Sequence, residues 1–287
     1  MRTYKSVTAF DRIILKSTSP LNQLKDHLPD GAKVKVSPVD IHFSPNWPYK
    51  VDIRQPDPAT LAALKYAAGP DTQLEISYVE VARDYPVRFA IEAQRLLLYF
   101  LRTATLRYGP QVVTMSDNVF YYGDTGRGLR LALYADRPSK LATAAQGQPC
   151  LHTELRLQGA EAARKAHLLT LDDLVSLNIK AFWKKHIGLW AFSNRARMGA
   201  ALRTKTSRRS ITDNALRARF SRALSGGRYT AKGGDVDTRD ERAKGPFALQ
   251  MLAAKNPEIK SAMRLLTAAE WEEKARAAAL NPTTWWR

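Results

Sequence analysis

Two short stretches in the middle of the chain alternate strictly between apolar and polar positions, and this period constrains the fold more than any other feature. Residues 129–134 read LRLALY, and residues 151–157 read LHTELRL. A period of two residues is typical of a half-buried β-strand. The polar side chains of the two strands are of types that bind or act on phosphate: Arg130, Tyr134, His152, Glu154 and Arg156. If both polar faces lie on one side of one sheet, they form a site for phosphate chemistry.

The first ninety residues predict the element order β-α-β-β-α-β. The predicted strands cover residues 10–16, 33–36, 49–54 and 74–84, and the predicted helices cover residues 20–28 and 59–68. Ser19 is a good N-cap for the first helix, and Gly69-Pro70 stops the second. This order is that of a ferredoxin-like sandwich, in which helices cover one face of an antiparallel sheet.

A second, related β-rich half follows. A strongly amphipathic helix is predicted over residues 87–106, then strands over 119–122, 129–134 and 151–157, and a helix over 160–177. The fold class predicted is α+β, with antiparallel sheets, helices on one face, and a basic, largely helical C-terminal extension. The predicted division is a catalytic domain of residues 1–178 and an extension of residues 179–287.

The charge of the chain indicates a polyanionic partner. Lys and Arg number 45 against 27 Asp and Glu, which gives a net charge of +18 and a pI near 10.1. Such a field favours nucleic acid or an anionic membrane surface. The longest apolar run, LLLYFL, is far too short to span a bilayer. The first sixteen residues lack the apolar core of a signal peptide, and a single cysteine suits a reducing compartment, so the sequence predicts a cytoplasmic protein.

Most of the excess charge lies in one segment. Residues 180–244 contain 17 Lys or Arg and 5 Asp or Glu, a net charge of +12. One interpretation is a solvated basic tail; the other is a DNA-binding segment whose cations neutralise phosphates. On the second interpretation the DNA-binding residues are Arg195, Arg197, Arg203, Lys205, Arg208, Arg209, Arg217, Arg219 and Arg222.

Three carboxylates suggest a metal site. Glu80 and Asp84 are four residues apart in a predicted strand, and this even spacing places both on one face. With Glu154 on a second strand they suit a hard divalent ion such as Mg²⁺ or Mn²⁺. His152 shares the face of Glu154, and it is either a further metal or phosphate contact or a hydrogen-bonded structural histidine.

The order of several short motifs resembles that of the replication initiation factors of rolling-circle plasmids and filamentous phages. The motifs are EISYVEVARD, YYG, LRLALYADRPSK and LHTELRL, and the resemblance covers roughly residues 10–177. Ala132 and His152 stand where that family commonly has arginine. The family nicks one strand at an origin with a tyrosine and stays attached to the 5′ end, so the free 3′ hydroxyl primes synthesis.

The resemblance implies a role for each matched residue. It places Tyr134 at the nucleophile position and Glu80, Asp84 and Glu154 at the metal-binding acids. Arg130 and Arg137 flank the tyrosine and would stabilise developing charge, and Lys140 is a further candidate metal or phosphate contact. Without the resemblance, Tyr134 is an aromatic residue on a sheet face, and Tyr121 and Tyr122 compete with it.

Two functions from different classes follow. The first is a metal-dependent, tyrosine-type DNA endonuclease and strand transferase that initiates rolling-circle replication. The second is a non-enzymatic DNA- or RNA-binding protein that keeps the fold without the catalysis. The partner expected in the first case is origin DNA, single-stranded or cruciform, with a homodimer and a host helicase as further partners that the resemblance admits.

Overall fold

The structure, a computed structural model, describes residues 5–40, 42, 44–107, 113–123, 128–141, 145–192 and 263–280. The first half contains six elements in the predicted order: β1 (Val7–Ser17), α1 (Leu24–His27), β2 (Lys33–Pro38), β3 (Tyr49–Arg54), α2 (Pro58–Ala68) and β4 (Leu74–Pro86). The strands pair in the order β2-β3-β1-β4, all antiparallel, which is the arrangement of a ferredoxin-like sandwich. The prediction for this half is confirmed.

The second half extends the same sheet. Its elements are α3 (Ala90–Thr103), β5 (Ala104–Leu106), β6 (Val113–Ser116), β7 (Val119–Tyr122), β8 (Gly128–Tyr134), β9 (Cys150–Gln158), α4 (Ala160–Lys165) and α5 (Leu171–Val175). Strand β9 pairs with β4, and β9-β8-β7-β6 continue outward as an antiparallel meander. The α+β class with two β-rich halves is therefore confirmed, and the halves join into one eight-stranded sheet.

Three predicted helices differ from the observed ones. The helix predicted over residues 20–28, with Ser19 as its N-cap, is the short helix α1, which begins at Leu24 after the N-cap Gln23. The helix predicted over residues 160–177 is two short helices, because His167 adopts a left-handed backbone (φ 62°) and Thr170 then caps α5 by accepting a hydrogen bond from the Asp173 backbone. The helix predicted over residues 87–106 ends at Thr103, and its last three residues form β5 instead. There they pair with a strand from much later in the chain.

The elements after residue 178 pack against the body. They are α6 (Ile179–His186), β10 (Ile187–Phe192), β11 (Met263–Leu265) and α7 (Ala268–Leu280). Strand β10 lies between β5 and β11, and α7 contacts α3. Trp183 and Trp271 are each 2% exposed, so both belong to the core. Within the described ranges, no helix is long and apolar enough to cross a membrane.

One face of the large sheet is the core, and the other is polar. Apolar side chains from alternate positions of the central strands, such as Ile13, Val81, Leu133 and Leu155, lie under the helices and are almost fully buried. The intervening residues of β1, β4, β8 and β9 point to the opposite face of the sheet. The polar face is where the candidate site lies.

Candidate active site

The register of the sheet brings the predicted site residues together in three cross-strand rows. Residues opposite one another on paired strands point to the same face. The first row is Asp84, His152 and Tyr134; the second is Ala82, Glu154 and Ala132; the third is Glu80, Arg156 and Arg130. The expectation that Glu80 and Asp84 share a face, and share it with Tyr134 and Glu154, is confirmed.

Three carboxylates form a cluster at the centre of this face. Ligand oxygens of Asp11, Glu80 and Glu154 all lie within 4.8 Å of one another. Asp11 was not predicted from the sequence. It occupies a bulge in β1, where Phe10 pairs with Val81 and Arg12 with Glu80, so no residue of β4 lies directly opposite Asp11. A bulge re-aims one side chain, and here it turns a carboxylate toward the polar face.

The electrostatics of this cluster favour a cation. Burial and the neighbouring Glu154 raise the pKa of Glu80 to about 9, and the same two causes raise the pKa of Asp11. The pKa of Glu154 is lowered: burial opposes ionisation, but hydrogen bonds from Glu80 and Tyr134 and the charge of Arg156 outweigh it. Glu80 thus holds a proton that it shares with Glu154 near neutral pH. A divalent ion would take the place of that proton, and an all-oxygen donor set suits Mg²⁺ or Mn²⁺.

Arg156 fixes two of the three carboxylates. Its Nε donates to Glu80 Oε1 (2.9 Å) and to Glu154 Oε2 (3.1 Å), and a terminal nitrogen donates to Glu154 Oε2 (2.5 Å). The hydroxyl of Tyr78 donates to the other oxygen of Glu80 (3.0 Å). Arg156 therefore holds Glu80 and Glu154 in place, and a cation bound to the cluster would replace the proton of Glu80.

Tyr134 is joined to this cluster through its hydroxyl, which donates a hydrogen bond to Glu154 Oε1. Its ring stacks on the imidazole of His152, with centroids 4.4 Å apart and planes 19° apart, and Arg137 Cζ lies 4.8 Å from the ring centroid. The residue is 7% exposed. Burial, followed by the charge of Glu154, raises the pKa of the phenol well above its usual value. A base that accepts the phenolic proton is therefore needed for nucleophilic attack.

Asp84 does not lie with the other two predicted acids. It belongs to a second group with Cys150 and His152, and all three are buried. Asp84 Oδ1 accepts from His152 Nδ1 (2.9 Å), and Oδ2 accepts from Ser139 Oγ (2.5 Å). His152 Nε2 lies 3.0 Å from the carbonyl oxygen of Arg137.

Both ring nitrogens of His152 thus face oxygen acceptors, an arrangement that favours the doubly protonated imidazolium; Nε2 also lies 3.1 Å from Cys150 Sγ. Burial opposes this charge, yet the hydrogen bond and charge of Asp84 raise the pKa of His152. A doubly protonated imidazole has no lone pair for a metal. This geometry favours the structural interpretation of His152, with its positive charge paired to Asp84.

A cleft of about 640 Å³ opens over the carboxylate cluster. Glu80, Glu154 and Tyr134 line it, as does Asp11. The basic side chains around it come from both halves of the sheet: Arg12, Lys33, Arg54, Arg137, Lys140 and Arg156. Predicted residues Arg137 and Lys140 therefore lie at the cleft, while Asp84 and His152 lie behind it. The predicted DNA-binding residues from Arg195 to Arg222 fall outside the described residues.

Gln55 connects the two walls of the cleft. Its side-chain amide donates to the carbonyl oxygen of Lys140 (2.6 Å), and its backbone N–H donates to the carbonyl oxygen of Asp11 (2.8 Å). It does so with a left-handed backbone (φ 50°), which is uncommon for a residue other than glycine. Gln55 thereby ties the bulge that carries Asp11 to the loop between β8 and β9.

The other two candidate tyrosines have different surroundings. Tyr122 is fully buried and donates its hydroxyl proton to the carbonyl oxygen of Leu101 (2.8 Å), which is a packing role. Tyr121 is half-buried on the polar face, with Arg130 Cζ 3.8 Å and Arg156 Cζ 5.5 Å from its ring centroid. Arg130, predicted beside the nucleophile, thus stacks on Tyr121 one strand further out.

Comparison with solved structures finds a distant structural likeness. No protein-family model and no curated protein matches the sequence. Among solved structures, the chain is similar to a rolling circle replication initiator protein from Geobacillus stearothermophilus. The TM-score is 0.38 and the identity is 11%, over 67% of this chain and 89% of that chain. We therefore base the function on the geometry of the site.

Proposed function

We propose that this protein nicks and rejoins one strand of DNA at an origin, through a phosphotyrosine intermediate on Tyr134, and so initiates rolling-circle replication. The observation that carries the proposal is the hydrogen bond from the Tyr134 hydroxyl to Glu154, within the carboxylate cluster at the floor of a basic cleft. A nucleophile, a base and candidate metal ligands meet there, and the surrounding cations suit a polyanion.

In this proposal Glu154 accepts the phenolic proton as the Tyr134 oxygen attacks the scissile phosphorus. The bond from phosphorus to the 3′ oxygen breaks, and that oxygen takes a proton from water in the open cleft. Asp11, Glu80 and Glu154 would hold the divalent ion, which when bound draws charge from the phosphate. Arg137, stacked on the Tyr134 ring, lies where it can pair with a phosphate oxygen. Attack by the 3′ hydroxyl on the phosphotyrosine reverses the sequence and rejoins the strand.

The second candidate, a nucleic-acid-binding protein without catalysis, is favoured by the burial of Tyr134. A phenol that is 7% exposed, with a pKa raised by burial, is a poor nucleophile unless its proton is removed. On this alternative Tyr134 is a hydrogen-bonded packing residue and the cleft only binds. In the first candidate the Tyr134 hydroxyl becomes an ester to phosphate, and in the second it only donates a hydrogen bond.

Removal of that hydroxyl separates them. We expect Tyr134→Phe to keep the fold and DNA affinity, because the ring still packs on His152, and to lower nicking by on the order of 10³-fold or more. The measurement is conversion of a supercoiled circle carrying the candidate origin to a nicked form, with Mg²⁺ or EDTA, and detection of DNA covalently held by protein. Tyr121→Phe and Tyr122→Phe are matched controls that should still nick. Equal adduct formation in wild type and Tyr134→Phe would refute the assignment of the nucleophile.

The basic segment is proposed to supply affinity rather than chemistry. Truncation after residue 178 would remove core elements such as Trp183 and Trp271, so an internal deletion is the better test. Phe192 and Met263 pair directly across β10 and β11, so an Asn-Gly turn can join them in place of residues 193–262.

We expect this deletion to lower duplex affinity at least about tenfold at low salt and to flatten its salt dependence, since fewer counterions are released. Nicking of a short single-stranded substrate at high enzyme concentration should persist. A second variant keeps the full length and replaces the nine predicted DNA-binding residues with glutamine, and we expect the same loss of duplex affinity. Unchanged duplex affinity at every salt concentration in both folded variants would contradict the proposal.

DNA as partner, a cytoplasmic location, a homodimer and a host helicase remain predictions.

A further inference from the structure

The register of the sheet aligns five basic residues and Glu80, one from each of six strands, in one row across the polar face. Lys33 pairs with Arg54, Arg54 with Arg12, and Arg12 with Glu80. Glu80 then pairs with Arg156, and Arg156 with Arg130. We call this set, Lys33, Arg54, Arg12, Glu80, Arg156 and Arg130, the cross-strand row. Five steps between strands at about 4.8 Å make it about 24 Å long.

The row is unfavourable for the sheet by itself. Like charges directly opposite one another destabilise a strand pair, and Lys33, Arg54 and Arg12 are three such residues on neighbouring strands. Arg12 is compensated by Asp52, whose carboxylate accepts from its Nε (2.9 Å). Lys33 and Arg54 are exposed and line the cleft. An extended polyanion lying across the strands would offset this repulsion.

At the other end the row meets an aromatic ring. Tyr121 packs beside Tyr134 over Ala132, the small residue directly opposite it on β8. The guanidinium of Arg130 covers the Tyr121 ring at 3.8 Å. Planar guanidinium and aromatic groups are the surfaces on which unpaired bases stack in single-strand-binding proteins. A base in a duplex is already stacked and offers no free face.

We infer that a single-stranded polynucleotide crosses the sheet along the cross-strand row, with its phosphates over Lys33 and Arg54 on one side of the carboxylate cluster and a base stacked on the Tyr121–Arg130 platform on the other. The inference rests on the proposed function, because it places the scissile phosphate over the cluster between these two contacts. It specifies the path of the unpaired strand across the sheet and the Tyr121–Arg130 pair as its base contact.

Binding measurements in a Tyr134→Phe background test this without cleavage. The probes are a fluorescein-labelled 20-nucleotide oligothymidylate, an abasic strand of the same length, and a 20-base-pair duplex. Tyr121→Leu should lower affinity for oligothymidylate by about 5- to 150-fold, which is the range for loss of one stacked base. It should leave binding of the abasic strand and the duplex nearly unchanged. Tyr121→Phe keeps the ring and should bind as the parent does.

Lys33→Gln and Arg54→Gln should act differently. Each should weaken the oligothymidylate and the abasic strand equally and reduce the slope of log affinity against log salt by about 0.7, the value for one phosphate contact on a single strand. These residues are exposed, so the variants test the row even if Tyr121→Leu fails to fold. Tyr66→Leu is a matched control, because Tyr66 is 70% exposed and lies on α2, away from the polar face.

The inference is overturned if Tyr121→Leu weakens the abasic strand as much as oligothymidylate, or if neither cation variant changes the salt slope. This outcome differs from failure of the proposed function. If the platform and row behave as expected but no variant or wild type forms a covalent adduct, the site binds single strands without cleaving them, and only the nicking proposal is lost.

Discussion

Two groups of side chains of metal-binding types lie next to each other on one sheet face. They differ in which groups balance their charge and in whether solvent reaches them. The open group, Asp11, Glu80 and Glu154, borders the cleft, and Arg156 contacts two of its three acids. The buried group, Asp84, Cys150 and His152, pairs one carboxylate with one imidazolium. Ser139 donates a hydrogen bond to Asp84, and the carbonyl oxygen of Arg137 accepts one from His152. A cation can reach the open group from the cleft, whereas the residues of the buried group do not line the cleft.

Ligand types at short distance therefore do not suffice to make a metal site. In the buried group, the polar contacts hold the strands and the β8–β9 loop together, since Asp84 is on β4, His152 on β9 and Ser139 in the loop. In the open group, burial raises the pKa of two acids instead. We expect the first to contribute to stability and the second to cost stability until a cation binds.

The largest effect that tests this contrast is on folding free energy. Asp84→Asn leaves the buried His152 cation without its counter-charge, and we expect a loss of about 2–3 kcal/mol. Asp11→Asn removes a repelling acid and should leave stability equal to or slightly above that of the wild type. Urea unfolding in EDTA measures both. Similar losses in the two variants would show that the groups play the same structural role.

A second effect is on the pH dependence of stability. The folded pKa of Glu80 is about 9, above its usual value of 4.5. Between those values the folded state keeps a proton that the unfolded state has released, so stability falls as pH rises, by at most about 1.4 kcal/mol per pH unit. Glu80→Gln should flatten this fall, and Mn²⁺ should oppose it.

Asp52→Asn is the matched control, because the hydrogen bond from Arg12 lowers the pKa of Asp52 and its contribution is lost at acid pH instead. It should leave the fall between neutral pH and 9 in place. An apo protein whose stability is flat in this range, with or without Glu80, would contradict the shared proton.

Much of the sheet could be predicted from local pattern, because strict alternation fixes which side chains share a face. The runs around Tyr134 and Glu154 alternate without interruption, whereas the run before Glu80 contains a register shift between Ile76 and Tyr78; all three site residues still lie on the predicted face. The bounds of α2 likewise followed from Pro and Gly at its ends, whereas Ser19 does not cap α1, which begins five residues later. The pairing of β5 with β10 could not be predicted, since it joins segments about eighty residues apart.

Asp11 was missed because it breaks the rule on which the prediction rested. Phe10 and Ile13 are both buried in the core although they are three residues apart. That odd spacing is the local signal of this bulge. Asp84 was grouped with Glu80 because both lie on one face of β4. Sharing a face does not fix which neighbours a side chain reaches, and His152, directly opposite, is the nearer partner.

The most direct test of the account is Mn²⁺ binding by the Asp11→Asn and Asp84→Asn variants, measured by the loss of the free Mn²⁺ paramagnetic resonance signal at a temperature where both are folded. We predict that Asp11→Asn, which loses a ligand, binds at least about tenfold more weakly than the wild type, whereas Asp84→Asn stays within about threefold of it. The opposite order, with Asp84→Asn losing affinity and Asp11→Asn keeping it, would contradict the assignment of the open group as the metal site.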